Sequence, residues 1–523
     1  MNSGVTASRS QSTRSLWQTN RGVVALCFVL LELLFFSTDS IGVPAHLYVS
    51  GDIGATPYLA VWFMVAFLLP AALIMPLLGS LKARFGAKRI ATVGPGLFGL
   101  ACLAASITRD PLLFIGWRIL QGLGAGVIPA AAGGYLGSQL GEKHTPMGKG
   151  LVALAVVAGS SMGIPLSALI TWHLSWRVLY AGLGLAALVA VAVILRLMPA
   201  TAGNPNAEID WLGYSLMSGG FGLLALSLFV GNQREWFGSG VYVVMLWSSV
   251  ILIALFGWRV VTKPKLIDLR IFQDINFCIS AVNLTSVMFF LFMVFGIVPR
   301  FLIVTTDNTV GSYSWVFLPF VATAITAGAM VTPGVSPHLI APTIKAKKKL
   351  CSAAIFSFAL TALWMAQTSS QQSNANITIQ MMAVGCCFAL INCLEIQMSF
   401  STMAAELMTS ASSVLFFCTN FSKALSGGVS GAILTATSEG SWNRFREQVH
   451  AGNSALIPFQ RILDGHFSGQ MGADWSQGSL DVIHRLIARE VEVVSFINIS
   501  SMVGVVLLVL CVLPWLHQSP QPK

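Results

Sequence analysis

At 523 residues, 55% hydrophobic and 10% charged, the chain is too apolar for a soluble enzyme, and its net charge of +10 does not point to nucleic acid. Soluble domains carry about 25% charged residues; here the charges gather between apolar runs of about 20 residues, the length that crosses a bilayer. The nine cysteines fall inside those runs with neither a disulfide framework nor metal-ligand spacing, so no metal or cofactor is expected.

Residues 1–20 are rich in Ser and Thr, with Arg9 and Arg14, and read as a disordered cytoplasmic tail. The first apolar run, Val23 to Leu47, carries two acids, Glu32 and Asp39. They lie two helical turns apart, so both point to nearly the same face. A carboxylate at bilayer depth costs about 2.5–3.5 kcal/mol on insertion scales. Such a residue is expected to face protein or water and to carry protons or substrate.

Further runs follow at residues 57–79, 90–107, 112–136, 150–172, 176–197, 211–230 and 240–261. The later ones are 277–303, 313–335, 350–367, 377–402, 409–435 and 493–516. The expected fold is therefore an all-α polytopic membrane protein of about fourteen transmembrane helices. Its organisation reads as an N-terminal six-helix half (21–200), two inserted helices and a linker (201–270), and a C-terminal six-helix half (271–516), followed by a cytoplasmic tail (517–523). The basic clusters Lys82–Arg89, Arg259–Arg270 and Lys345–Lys349 occupy alternate gaps, which puts them and both termini in the cytoplasm by the positive-inside bias. The polar stretch 436–492 is then a periplasmic loop, in which Leu480 to Val491 reads as an amphipathic helix at the membrane surface. The short basic loops at 80–89 and 341–349 sit at corresponding places in the two halves, as an internal duplication would put them.

Two bases fall inside spans, Arg118 in the fourth and Lys423 in the thirteenth; with Glu32, Asp39 and Glu395 they form the buried charge set. A guanidinium stays charged and needs an acidic or carbonyl partner. Lys423 reads either as the neutraliser of one of these acids or as a snorkelling side chain. Glu32 fits a second protonation site, a contact to a cationic substrate or a structural salt bridge. Glu395 and Gln397 lie mid-span and are candidate substrate contacts. Phe289, within Met288-Phe-Phe-Leu-Phe-Met293, is a candidate pocket wall, although lipid-facing packing explains the run better, because successive apolar residues cover every side of the helix.

The stretch Gly79-Ser-Leu-Lys-Ala-Arg84-Phe-Gly86-Ala-Lys88-Arg89 resembles the loop signature of the major facilitator superfamily, with Ala83 where the family has Asp. Leu113-Phe-Ile-Gly-Trp-Arg118-Ile-Leu-Gln121-Gly122-Leu-Gly124 is similar to its fourth-span motif. Gly159-Ser-Ser-Met-Gly163-Ile-Pro165-Leu-Ser-Ala resembles its antiporter motif, with the proline shifted by one and Ser-Ala for the final glycine pair. Ile209-Asp-Trp-Leu-Gly213, Pro264-Lys-Leu-Ile-Asp268 and Asn420-Phe-Ser-Lys423 are similar to marks of the 14-span drug:proton antiporter branch, of the EmrB type.

That resemblance implies a proton-coupled secondary transporter exporting small amphipathic compounds across a bacterial inner membrane. It also implies a periplasmic adaptor and an outer-membrane channel as partners. Transport of one dedicated metabolite, such as a siderophore, stays open beside it; a non-transporting sensor or assembly subunit is a further alternative. In the family register Asp39 matches the first-span acid. The cycle expected from it pairs Asp39 with Arg118, and protonation of Asp39 weakens that pair.

Overall fold

The computed structural model describes the chain except residues 1–2, 139–144, 200–201, 232, 307, 337–338, 405, 449–453, 455–456, 460, 464, 466–474 and 519–523. Thirteen of its helices are long and apolar enough to cross a membrane. They arise from α1 (Ser3–Asp52), α2 (Pro57–Ile74) continued by α3 (Leu78–Phe85), α4 (Ala87–Ile107), α5 (Pro111–Ala125) continued by α6 (Ile128–Ser138), α7 (Thr145–His173) and α8 (Trp176–Leu197). Then come α9 (Trp211–Gly231), α10 (Gly240–Thr262), α11 (Ile275–Thr305), α12 (Val310–Val331), α13 (Ile344–Met365), α14 (Asn374–Ser399), α15 (Met408–Gln448) and α16 (Trp475–Leu510). The fourteenth span is α15, which holds too many Ser, Thr, Asn and Gly for a high mean hydropathy. Helices α2, α9, α11 and α16 pack around it, which buries its polar side chains among the spans.

Helices α1–α8 pack on one another, and so do α11–α16. The first of these bundles meets the second along two seams, α7 against α12 and α2 against α15. Helices α9 and α10 pair outside them; α9 rests on α2 and α15, while α10 is the least covered span, with 17% of its apolar window buried. The α7–α12 seam is closed at both ends. At the end carrying the basic loops, Gly150 lies under Thr332 and Pro333; at the opposite end, Gly311 lies under the Trp172 ring.

Three local expectations change. Helix α1 starts at Ser3, so the segment read as a disordered tail is helical backbone continuous with the first span. Leu480 to Val491 is not a separate surface helix: α16 runs unbroken from Trp475 through the membrane. Much of the loop expected at 436–492 is likewise an extension of α15 and α16; its residues 449–453 and 466–474 lie outside the described ones. At 1.5 Å per residue α15 alone is about 60 Å long, twice a hydrocarbon core of about 30 Å. The two helices stay together through the Thr437–Ser495 hydrogen bond at 3.2 Å and the Trp442–His484 ring contact at 4.9 Å.

Candidate functional site

The site begins with how α1 is held against α7. A methyl at Gly163 would collide with the Ser37 carbonyl and the Ser40 hydroxyl, and one at Gly159 with Phe36. Glycine is required at such contacts because any Cβ would part the helices. Across the seam Ser40 donates to the Ser160 carbonyl at 3.0 Å and Ser167 to the Ile41 carbonyl at 2.9 Å. Pro165 lies within the same stretch of α7. These contacts bracket Asp39 and fix its direction.

Asp39 points to the second bundle. Its Oδ2 accepts a hydrogen bond from the Lys423 ammonium at 2.5 Å, and both side chains are wholly inaccessible. Lys423 also donates to Asn420 Oδ1 at 3.2 Å and sits 4.8 Å and 5.1 Å from the Phe36 and Phe292 ring centres. Rings at that range stabilise a desolvated cation by about 2 kcal/mol or more, and they assist the carboxylate, which carries the full opposite charge at hydrogen-bond distance. Asp39 Oδ1 has no hydrogen-bond partner. The pair thus joins α1 to α15, one bundle to the other.

The expected Asp39–Arg118 pair does not form. Arg118 Nε donates to the Phe63 carbonyl at 2.9 Å and its Nη1 to Gln121 Oε1 at 2.8 Å, with the guanidinium 4.5 Å from the Phe67 ring centre. Gln121 in turn donates to the Ala101 carbonyl at 3.3 Å, and a methyl at Gly122 would collide with the Phe67 carbonyl. Arg118, Gln121 and Gly122 therefore brace α5 against α2 and α4. A carbonyl, a side-chain amide and a ring face satisfy the guanidinium without an acid.

Glu32 is fully buried, and neither carboxyl oxygen has a hydrogen-bond partner, so it is not part of an ion pair. Glu395 is not a wall of the space between the bundles. It accepts from Ser280 and Asn283 at 2.7 Å each and from Cys351 at 3.3 Å, and His517 Nε2 lies 3.3 Å from its Oε2. Gln397 donates to the Val331 carbonyl at 2.9 Å, and Phe289 is half-buried with its ring edge-on to Phe290.

The loop motif lies at the basic end. Gly86 has φ +84°, the conformation that lets α3 turn directly into α4 without a Cβ penalty. Gly79 faces Thr409 of α15 loosely, with 3.9 Å from an added methyl to the nearest atom. At Ala83 the backbone carbonyl accepts from Asn204 N at 2.8 Å, and Gly203 lies against the Arg84 carbonyl. Within α4, the Thr92 hydroxyl donates back to the Lys88 and Arg89 carbonyls of the preceding turn at 3.0 and 3.1 Å. This loop, the linker and the start of α15 border an open cleft of about 780 Å³ lined by charges of both signs, among them Lys82, Glu208, Lys265 and Glu406.

Sequence reasoning left Lys423 without an assigned acid and gave no role to Phe36, Asn420 or His517. The Asn-Phe-Ser-Lys pattern was the available signal for Asn420 and Lys423, since residues three apart share a helix face.

The sequence matches the Major Facilitator Superfamily over residues 27–427. It is 24% identical over 507 residues to the fatty acid resistance protein FarB of Neisseria gonorrhoeae, covering 94% of each chain. It is 26% identical over 515 residues to the probable multidrug resistance protein EmrY of Escherichia coli, covering 94% of this chain and 93% of that one. Among solved structures, the human organic anion transporter MFSD10 (TETRAN) aligns with a TM-score of 0.56 at 13% identity, over 94% of this chain and 99% of that one. A bacterial homolog of the human lysosomal transporter Spinster aligns at 0.53 and 14%, over 96% and 99%.

Proposed function

This chain belongs to the major facilitator superfamily, and from that premise we propose that it is a proton-driven exporter of small amphipathic compounds whose coupling element is the Asp39–Lys423 pair. The observation that carries the proposal is that this buried ion pair has one member on each bundle. Removing one charge from a buried pair costs about 3–5 kcal/mol, as much as the few kcal/mol that separate two conformations of a protein. A proton arriving on Asp39 therefore releases α1 from α15 and lets the bundles rock; its departure draws them together. Glu32, with two unpartnered oxygens, is a second place for a proton on the same helix. Relatives named for fatty acid and multidrug resistance align over 94% of the chain, which supports export of amphipathic compounds.

The basic end faces the cytoplasm of a bacterial inner membrane, a reading supported by the clusters at Lys82–Arg89 and Lys345–Lys349. The opposite end then projects the α15–α16 extension into the periplasm, where it offers a docking point for an adaptor that leads to an outer-membrane channel.

The test is efflux in inverted vesicles with a substrate panel and a proton uncoupler. Native protein should accumulate substrate until the uncoupler is added, and Asp39→Asn, read per folded molecule, should fall to the uncoupled background. Undiminished proton-coupled transport by Asp39→Asn would refute the coupling role.

A further inference from the structure

We infer that protons reach Asp39 from the outer side through the first bundle itself, relayed by Tyr180 and His46, and not through the space between the bundles. The inference rests on the coupling role proposed for Asp39 and adds the route that serves it. Glu32, Asp39 and His46 follow one another at intervals of seven residues on α1, and all three are buried. Seven residues fall about 20° short of two full turns. The three titratable groups therefore share one face of the helix, with about 10 Å of rise between neighbours. Ionisable side chains strung out at bilayer depth mark proton relays. Of the three, His46 is the one to which the coupling pair gives no task.

The outer leg is built to pass a proton. The His46 ring lies back over Gly42, one turn nearer to Asp39; a methyl at Gly42 would come within 2.6 Å of the ring and push it away. Pro44 has no N–H to offer the Ser40 carbonyl, which leaves a polar group on this leg where a bridging water can be held. From α8 the Tyr180 hydroxyl stands 3.5 Å from His46 Nε2. Farther out, Trp176 lies 6.1 Å from the Tyr180 ring and donates through Nε1 to Asp52, an exposed carboxylate at the outer end of α1. The transfer conserves protons. Tyr180 gives its proton to His46 Nε2 while Nδ1 releases one, by way of water, to Asp39 Oδ1, the oxygen that Lys423 leaves bare. Outer water beside Asp52 then reprotonates Tyr180, and the His46 ring flips to reset. The other titratable groups near this leg are Arg118 of α5, 5.8 Å from the Tyr180 ring, and Cys102 of α4. Arg118 cannot deprotonate, and Cys102 acts on Tyr180 and not on His46. Helices α2 and α5 otherwise present the Phe63 and Phe114 rings, 5.5 and 6.4 Å from the imidazole.

The inner leg is barred. Phe35 and Phe36, both buried, occupy the turn between Glu32 and Asp39. Phe36 also lies 4.8 Å from the Lys423 ammonium, so parting the bundles withdraws the cation from that ring and loosens the bar toward Glu32. Asp39 is thus served from the outer side while the pair holds and from the inner side once it has parted.

The test follows the Asp39 carboxyl in the purified full chain in nanodiscs after a rapid drop in pH. Its protonation is read as the infrared band of the neutral acid, assigned by its absence from Asp39→Asn, and needs neither substrate nor gradient. His46→Gln keeps a hydrogen-bonding group for Tyr180 but cannot pass a proton. In it the band should reach the native height at least about tenfold more slowly. Tyr180→Phe, which keeps the ring packing, should slow the rise likewise, and Gly42→Ala should slow it by displacing the imidazole. His173→Gln, at the end of α7, should leave the rate native. A native rate in His46→Gln overturns the inference, for the ring is then only a structural hydrogen-bond partner. Where that variant does not fold, native rates in Tyr180→Phe and Gly42→Ala overturn it. If no Asp39 band forms at any pH, the coupling role of Asp39 falls and the route falls with it. If the band depends on His46 while vesicles show no uncoupler-sensitive efflux, the route stands and the proton-driven reading falls.

Discussion

Two buried carboxylates, Asp39 and Glu395, differ in how completely they are satisfied. Glu395 is saturated: Ser280 and Asn283 of α11, Cys351 of α13 and His517 after α16 converge on its two oxygens, all from one bundle. The same end is tied further by Asn276 to Gln518 at 2.9 Å and by Lys348 to the His517 carbonyl. Asp39 has one donor, from the other bundle, and one oxygen left bare. A saturated site resists change because every alternative leaves several donors unpaired. An undersatisfied pair spanning two bodies has a cheap alternative, since one proton removes its reason to hold. Burial alone makes an acid costly; the distribution of its partners decides whether it fastens or switches.

The sharpest break of that contrast is Glu395→Ala. It removes the acceptor of Ser280, Asn283 and Cys351 in a membrane bundle and should lower stability by about 3 kcal/mol or more, each buried unpaired group costing about 1–3 kcal/mol. Thermal unfolding in detergent reads the loss, and transport per folded molecule should match the native chain. Full stability with abolished transport would reverse the assignments of the two acids. Next in size is Gly163→Ala, whose methyl meets the Ser37 carbonyl and the Ser40 hydroxyl. Overpacking of this kind costs about 1–3 kcal/mol, and here it also displaces the turn that aims Asp39, so both stability and coupled efflux should fall. Gly79→Ala is the matched control, for its added methyl reaches only the Thr409 side chain at 3.9 Å; melting and efflux should stay native.

Spans were legible because hydropathy is a local property of the chain. Even α15, poor in hydropathy, was readable as an apolar stretch of the right length between polar segments. Partners were not legible. Asp39 and Lys423 stand 384 positions apart, and their meeting depends on which helices border the gap between bundles, which no periodicity encodes. Arg118 misled because its sequence context shows a buried cation but not the Phe63 carbonyl and Phe67 ring that satisfy it. Glu395 looked like a cavity residue because the His517 that completes its shell follows the last span. Motif glycines were readable as close contacts; Gly122, Gly124, Gly159, Gly163 and Gly213 are tight, whereas Gly79 is open.

A third acid marks the lower end of the comparison and lies just outside the spans, before α9. Asp210, just before α9, accepts from Arg259 Nη2 at 2.6 Å and Nε at 3.0 Å, and from the Gly213 backbone at 3.0 Å. The Arg259 hydrogen bond, aided by that of Gly213, holds its carboxyl below the usual Asp value despite partial burial. A depressed folded-state pKa means that the unfolded chain binds the proton more readily, so stability is gained above the unfolded pKa and lost as pH falls through the folded one. Asp210→Asn should therefore melt lower than the native chain at neutral pH. The gap should shrink in acid and close once Asp210 itself is protonated, with efflux at neutral pH unchanged. Because the pair lies within one helix hairpin, α9 and α10, it fastens as Glu395 does, only more weakly. A gap that widens toward acid would show that Asp210 is stabilised as the neutral acid, and the rule drawn from Asp39 and Glu395 would then fail outside the bilayer.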